Sequence, residues 1–129
     1  MLNRPFDEIS KADIELLIEN EISERKDLEY KRDLPGGRGQ DKIEFLADVS
    51  SFANCSGGYI IYGLGDKQGD DGKNTGIPKY VGLGEINVDD KKLRLEQMAL
   101  SGIDPRIPGL ELKEIEGFEK GPVLLIRAC

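Results

Sequence analysis

The chain has 129 residues, 38% of them hydrophobic and 33% charged, with a formal net charge of −7 at pH 7. That length supports one domain around a single core, and that composition excludes a disordered chain. There is no histidine, which removes histidine acid–base catalysis and the usual zinc sites. No apolar run is long enough to cross a bilayer, and Met-Leu-Asn-Arg-Pro-Phe-Asp-Glu at the start holds no signal-peptide core. The expected location is therefore the cytoplasm, with no membrane partner. Cys55 and Cys129 lack metal-ligand spacing and suit a reducing compartment. The negative balance argues against a broad polyanion-binding surface, while leaving room for a local basic face.

In chain order, Phe6 to Asn20 opens with a helix signal: Ser10 as N-cap, Asp13 three residues on, and an apolar stripe of Ile14, Leu17 and Ile18. Glu21 to Asp27 is densely charged and reads as surface. Leu28-Glu29-Tyr30-Lys31 alternates, which predicts a strand with Leu28 and Tyr30 inward and Glu29 and Lys31 on one wet face. Asp33 to Gln40 is a glycine-rich loop. A helix is predicted from about Asp41 to Cys55, with Ile43, Leu46, Ala47, Val49, Phe52 and Ala53 as its apolar face. Asn54 is assigned to capping that helix or fixing the turn after it, and Gly57-Gly58 stops it.

Tyr59 to Tyr62 is uncharged, aromatic and β-branched, as suits a strand covered on both faces within Gly58 to Leu64. Gly63 and Gly65 leave its exit uncrowded, so that a phosphate, a metal or another backbone can approach, and Asp66 follows. Asp66 to Leu83 reads as a mobile loop or an excursion over a site. Asn87 or Asp89 caps a third helix to about Ser101, carrying Leu93, Leu95, Met98, Ala99 and Leu100, and Pro105 and Pro108 forbid its continuation. The last strands are Leu110 to Ile115 and Val123 to Arg127, joined as a hairpin. The order α-β-α-β-α-β-β predicts an α+β fold with a mixed sheet and helices mainly on one face, forming one domain over residues 1–129. The final strand reaches the end without a polar tail, which leads us to expect the N-terminal part of a longer protein.

Glu24-x4-Glu29-Tyr30-Lys31, followed by Phe52-Ala53-Asn54-x2-Gly57-Gly58-x4-Gly63-x2-Asp66, resembles the Schlafen AlbA-type domain. The resemblance extends over essentially the whole chain and implies an Alba-like fold. Bacterial members carry labels such as transcriptional regulator, ATP-binding protein and RecG-helicase-related protein, and many are regarded as nucleic-acid-binding modules. In vertebrate relatives with ribonuclease activity, two glutamates and an aspartate form a metal-dependent centre. By motif these acids fall on Glu24, Glu29 and Asp66. This chain departs from those enzymes in lacking their duplicated, clamp-shaped arrangement and in its longer loop after Asp66.

Physical chemistry gives the same residues two readings. Three carboxylates brought together raise one another's pKa unless a cation is present, and oxygen ligands suit Mg²⁺ or Mn²⁺. Such an ion activates water and supports phosphoryl chemistry, with Lys31 beside it to stabilise developing charge. Straight strand would set Glu24 and Glu29 roughly 17 Å apart, so for the two to share an ion Glu24 must fold back on a turn or helix end, which the charged Ser23 to Asp27 segment permits without requiring it. The plainer reading makes Glu29 and Lys31 a solvated strand face, Glu24 one of a run of surface charges, Asp66 a turn cap and Cys55 a small buried residue.

For nucleic-acid binding, the candidate cations are Arg25, Lys26, Lys31, Arg32 and Arg38 at one end, with Lys67, Lys73 and Lys79 in the long loop. Gly72-Lys73-Asn74-Thr75-Gly76 lacks the glycine spacing and Gly-Lys-Ser/Thr order of a phosphate loop, so ATP binding has little local support. Asp66-x-Gln68-x-Asp70 lacks the glycine and closing glutamate of a calcium loop. The expected function is a DNA- or RNA-binding domain of a bacterial regulator-type protein. The alternatives are a Mg²⁺- or Mn²⁺-dependent endoribonuclease, and an ATP-binding or dimerisation module that pairs as a homodimer.

Overall fold

In a computed structural model, the structure describes residues 4–36, 39–54, 57–102 and 110–128. A single 3-10 turn, Phe6–Glu8, leads into α1 (Lys11–Glu19), whose start is closed by Asp13 accepting the Ser10 backbone N–H at 2.9 Å. Then follow β1 (Leu28–Lys31), α2 (Gly39–Asn54), β2 (Gly58–Tyr62), β3 (Leu64–Gln68), β4 (Asn74–Tyr80), α3 (Val88–Gly102), β5 (Glu111–Ile115) and β6 (Val123–Ala128).

The main sheet has the order β1-β2-β6-β5, with β1 parallel to β2 and the other pairs antiparallel. A strand exposes successive side chains on opposite faces, and here both faces are covered. On one face Leu28, Tyr30, Ile61, Val123 and Leu125 meet Ile14 and Leu17 of α1. On the other, Ile60, Tyr62, Leu124 and Ile126 meet Phe45, Val49 and Phe52 of α2 and Leu95, Met98 and Ala99 of α3. The two longer helices thus share one face, and α1 lies on the opposite one. The mixed α+β fold is as expected.

The apolar face of α2 keeps the predicted Val49 and Phe52, with Leu46 packed against them, but takes Phe45 in place of Ile43 and Ala47. Phe45 is 1% exposed and Val49 fully buried, whereas Ile43 is 60% exposed and Ala47 also faces outward. Ile43 and Ala47 keep helical spacing, yet the sheet selects the stripe carrying the aromatic rings, which bury more area. On α3, Leu93 and Leu100 are likewise exposed rather than packed.

The segment read as a loop after Asp66 is a second, two-stranded sheet, with β3 antiparallel to β4. It leaves β2 through Gly63, which has φ of 103°. The exit is not uncrowded: a Cβ at Gly63 would stand 3.0 Å from Val123 Cγ1, and one at Gly65 3.0 Å from Val81 Cγ2. Those glycines make room for the protein's own packing. Gly58 is needed for close approach as well, since a Cβ there would lie 2.7 Å from the Phe52 ring.

Candidate functional site

The site begins with a reversal before β1. Arg25 and Leu28 pair as an isolated antiparallel bridge, with Arg25 N–H donating to Leu28 O at 3.0 Å and Leu28 N–H to Arg25 O at 3.1 Å. Lys26 and Asp27 form the tip, and Arg25 Nε pairs with Asp27 at 2.9 Å. The reversal turns Glu24 back along β1. Tyr30 N–H, on the outer edge of the sheet, donates to Glu24 Oε2 at 3.1 Å. An edge-strand donor is thereby satisfied by a carboxylate. Beneath it, the Tyr30 hydroxyl donates to Ile22 O at 2.6 Å, and burial beside Glu24 pushes this phenol up to about 12.

The ribbon brings Asp66 to the same place. The β3–β4 register slips between Asp66 and Gln68, and Asp66 Oδ1 accepts Thr75 N–H at 2.9 Å and Gly76 N–H at 3.0 Å. Gly76 O in turn accepts Glu24 N–H at 2.8 Å. One glycine residue, at φ of 76°, therefore ties both acids to a common backbone. Burial lifts the Glu24 carboxyl above its ordinary value; the Tyr30 N–H opposes this, and the charges of Glu29 and Asp66 add to it.

These elements enclose an open pocket of about 600 Å³ bordered by Glu24, Lys31, Arg32, Asp66, Gln68, Asn74 and Lys79. Gln68 and Asn74 are opposite one another across the ribbon. Sequence reasoning missed both amides, because nothing marks a glutamine or asparagine as a site residue until the strand register is known.

Glu29 is near this group and turned from it. Alternation along β1 sends it to the α2 face, where Lys31 Nζ is 3.1 Å from Glu29 Oε1 and 3.8 Å from Asp48 Oδ2. The structure thus brings Glu24 and Asp66 to one pocket and leaves Glu29 outside its lining, coupled to Glu24 through charge. Among the described residues, no group of three or more His, Cys, Asp or Glu side chains is placed to hold a metal ion. As they stand, Glu24, Glu29 and Asp66 are engaged by backbone N–H groups and by Lys31, and do not form a ligand cage.

The expected cations divide similarly. Lys31, Arg32 and Lys79 border the pocket. Lys67 pairs with Glu21 at 3.5 Å, Lys73 is exposed at the ribbon turn, and Arg25 and Lys26 are exposed at the reversal. Of the turn residues, Gly57 N–H donates to Phe52 O at 2.7 Å and closes α2. Arg38, Cys55 and the Asn54 side chain lie outside the described residues.

A family model described as Schlafen, AlbA_2 matches residues 24–128, spanning the reversal, both sheets and α2 and α3. The chain belongs to the Schlafen AlbA_2 family. No curated protein matches it. Among solved structures, this AlbA_2 domain is similar to the N-terminal domain of a protein from Nitrosomonas europaea described as ATP-dependent DNA helicase RecG-related, solved by NMR in solution. The two share 23% identity at a TM-score of 0.55, over 87% of this chain and 69% of the other. That likeness bears on the fold. No helix among the described residues is long and apolar enough to cross a membrane.

Proposed function

We propose that this domain binds nucleic acid through the pocket between β1 and the β3–β4 ribbon. The observation that carries the reading is the convergence of Lys31, Arg32 and Lys79 on one polar hollow in a chain whose net charge is −7. Phosphate contacts by lysine and arginine supply sequence-independent affinity, and the amides of Gln68 and Asn74 offer donors and acceptors to a base edge. Among the described residues, Arg32 and Lys79 take part in no ion pair, so both are available to phosphate. Family membership, and a fold neighbour named for a DNA helicase, support the same reading. A role in a bacterial transcriptional regulator extends it.

A gel-shift or anisotropy titration against a short single strand and a duplex tests the proposal. We expect weak retardation that disappears as salt rises. Unaltered mobility at low salt and high protein concentration would sink it.

The second reading is a Mg²⁺- or Mn²⁺-dependent endoribonuclease using Glu24, Glu29, Asp66 and Lys31. It is favoured by the charges of Glu29 and Asp66 both raising the Glu24 carboxyl, a repulsion that a cation would relieve. Structured RNA incubated with Mn²⁺ and compared with Glu29→Gln decides it, since cleavage unaffected by that change removes the catalytic assignment.

A further inference from the structure

Between α1, the end of β4 and the connection from β5 to β6 is a cavity of about 310 Å³ that the nucleic-acid reading does not use. Its floor is apolar: Ile18 and the stacked rings of Tyr80 and Phe118, with centroids 5.0 Å apart and planes at 19°. The floor is held in place, because the Tyr80 hydroxyl donates to Gly121 O and accepts Lys120 N–H, both at 2.7 Å. Lys79 and Tyr80 are successive residues of one strand and point to opposite faces, so this cavity and the pocket bordered by Lys79 are separate.

The rim is acidic. Glu15 and Glu19, four residues apart on α1, and Glu119 from the connection are all exposed. Among the described residues, none of the three takes part in an ion pair. Like charges at that helical spacing repel, and a cation between them relieves the repulsion. The lysine within reach is engaged elsewhere: Lys11 Nζ is 5.5 Å from the centroid of the Phe118 ring. Its stem runs past Gly117, where a Cβ would stand 3.3 Å from Lys11 Cδ. The chain's own lysine thus shows how this surface takes a long cationic side chain, with its stem along the connection and its head over a ring.

Beside the rim, α1 presents an apolar residue with solvent over it. Leu16 is 51% exposed, and with Glu15 and Glu19 it forms one outward stripe. Apolar floor, acidic rim and exposed leucine together define the occupant by complementarity. It carries a cation on an aliphatic stem, to lie along the rings and meet the glutamates, and an adjoining apolar side chain to cover Leu16. Lysine or arginine next to a leucine-like residue in another polypeptide has both parts. A polyanion is repelled by the same rim, and a bare metal ion would leave the apolar floor uncovered.

We propose that this cavity and the adjoining Leu16 dock a basic, partly apolar segment of a partner protein, with Glu15, Glu19 and Glu119 as counter-charges and Tyr80 and Phe118 as the bed for its cationic side chain.

The test is fluorescence anisotropy of the chain with a labelled nonapeptide repeating Gly-Leu-Lys, at constant ionic strength. Peptides repeating Gly-Ser-Lys and Gly-Leu-Glu serve as comparators. We expect saturable one-to-one binding of the first peptide, which Glu15→Gln with Glu19→Gln weakens about tenfold and Leu16→Ser about threefold. Glu44→Gln with Glu96→Gln makes the same change of charge on exposed positions of α2 and α3, across the sheet, and should weaken binding less than about twofold. All these positions are exposed, so the variants fold as the parent does. Absence of saturation, equal binding of the Gly-Ser-Lys or Gly-Leu-Glu peptide, or equal weakening by the two charge-matched pairs would each overturn the proposal. Displacement of the bound peptide by a short DNA duplex would do so as well, by placing the peptide on the nucleic-acid pocket.

Discussion

The two hollows flanking β1 use the same residue types and satisfy them in opposite ways. On the ribbon side, Glu24 and Asp66 accept backbone N–H groups from Tyr30, Thr75 and Gly76, and the cations nearby face outward. On the α2 side, Asp48 Oδ2 is buried and accepts no hydrogen bond among the described residues, and Lys31 Nζ is shared between Glu29 at 3.1 Å and that oxygen at 3.8 Å. Lys31 borders both. The difference follows from what surrounds each acid. A two-stranded ribbon with a slipped register offers spare N–H groups, whereas a helix flank offers none, because its amides are already used within the helix. Acids on the ribbon side therefore serve the fold and leave Arg32 and Lys79 outside any ion pair among the described residues, while Glu29 and Asp48 on the helix side share one lysine.

The comparison breaks most visibly at Asp66. Asp66→Ala removes the acceptor for two backbone N–H groups at 2.9 and 3.0 Å and loosens the Gly76 link to Glu24. We expect a loss of about 2 kcal/mol in chemical denaturation, since hydrogen bonds to charged groups contribute roughly 1.5–3 kcal/mol. Asp66→Asn keeps one carbonyl acceptor and should lose less than half as much. Equal losses would mean that charge, not acceptor geometry, holds the ribbon.

Next in size is the cation pair. Arg32→Ala with Lys79→Ala should weaken nucleic-acid binding about tenfold, near 1.4 kcal/mol. It should also lower the magnitude of the slope of log affinity against log salt by about 1.4–1.8, as for two lost phosphate contacts. Lys26→Ala at the reversal tip, outside the pocket, is the matched control and should change affinity by less than about twofold.

Much of the fold could be read before the structure, and the reasons are local. Leu28 to Lys31 alternates with period two, so its two faces were legible, and Ser10 with Asp13 marked a helix start by their spacing. Chain geometry asked for a reversal at Glu24 only on the condition that Glu24 and Glu29 share an ion; the reversal is there, and the shared ion site is not among the described residues. The α2 face was read correctly at Val49 and Phe52 and missed Phe45, because Ile43 and Ala47 also keep helical spacing and only the sheet decides between them. Asp48 lies on the core-facing stripe, between Phe45 and Phe52, and a charge at such a position was the available signal for the cavity between β1 and α2. The ribbon was illegible for a different reason. Glycine, aspartate and lysine along a solvent-facing two-stranded sheet give no alternation, and the pairing of Gln68 with Asn74 depends on a bulge that no spacing reveals.

The smallest effect is the one most specific to the helix side. Burial, with Glu29 and Glu44 nearby, raises the Asp48 carboxyl from its ordinary 3.8 to about 6, with Lys31 opposing. Asp33, Asp41 and Tyr62 line, with Asp48, a cavity of about 210 Å³ between β1 and α2. In the unfolded chain Asp48 ionises near 3.8, so between about pH 4 and pH 6 the folded protein holds a proton that the unfolded chain has lost. Stability from this group is therefore greatest below about pH 4, declines as pH rises through 6, and is level above that. The Asp48 side chain is 24% exposed and has Lys31 at 3.8 Å, so we expect the decline to be on the order of 1 kcal/mol. Asp48→Asn removes the ionisation while keeping the shape. Its stability advantage over the parent should be near zero at pH 4 and largest above pH 6, as read from denaturation midpoints at matched salt. An advantage that is the same at every pH would place its origin in packing, and a loss confined to neutral pH would mean that the pairing with Lys31 outweighs the unpaired oxygen.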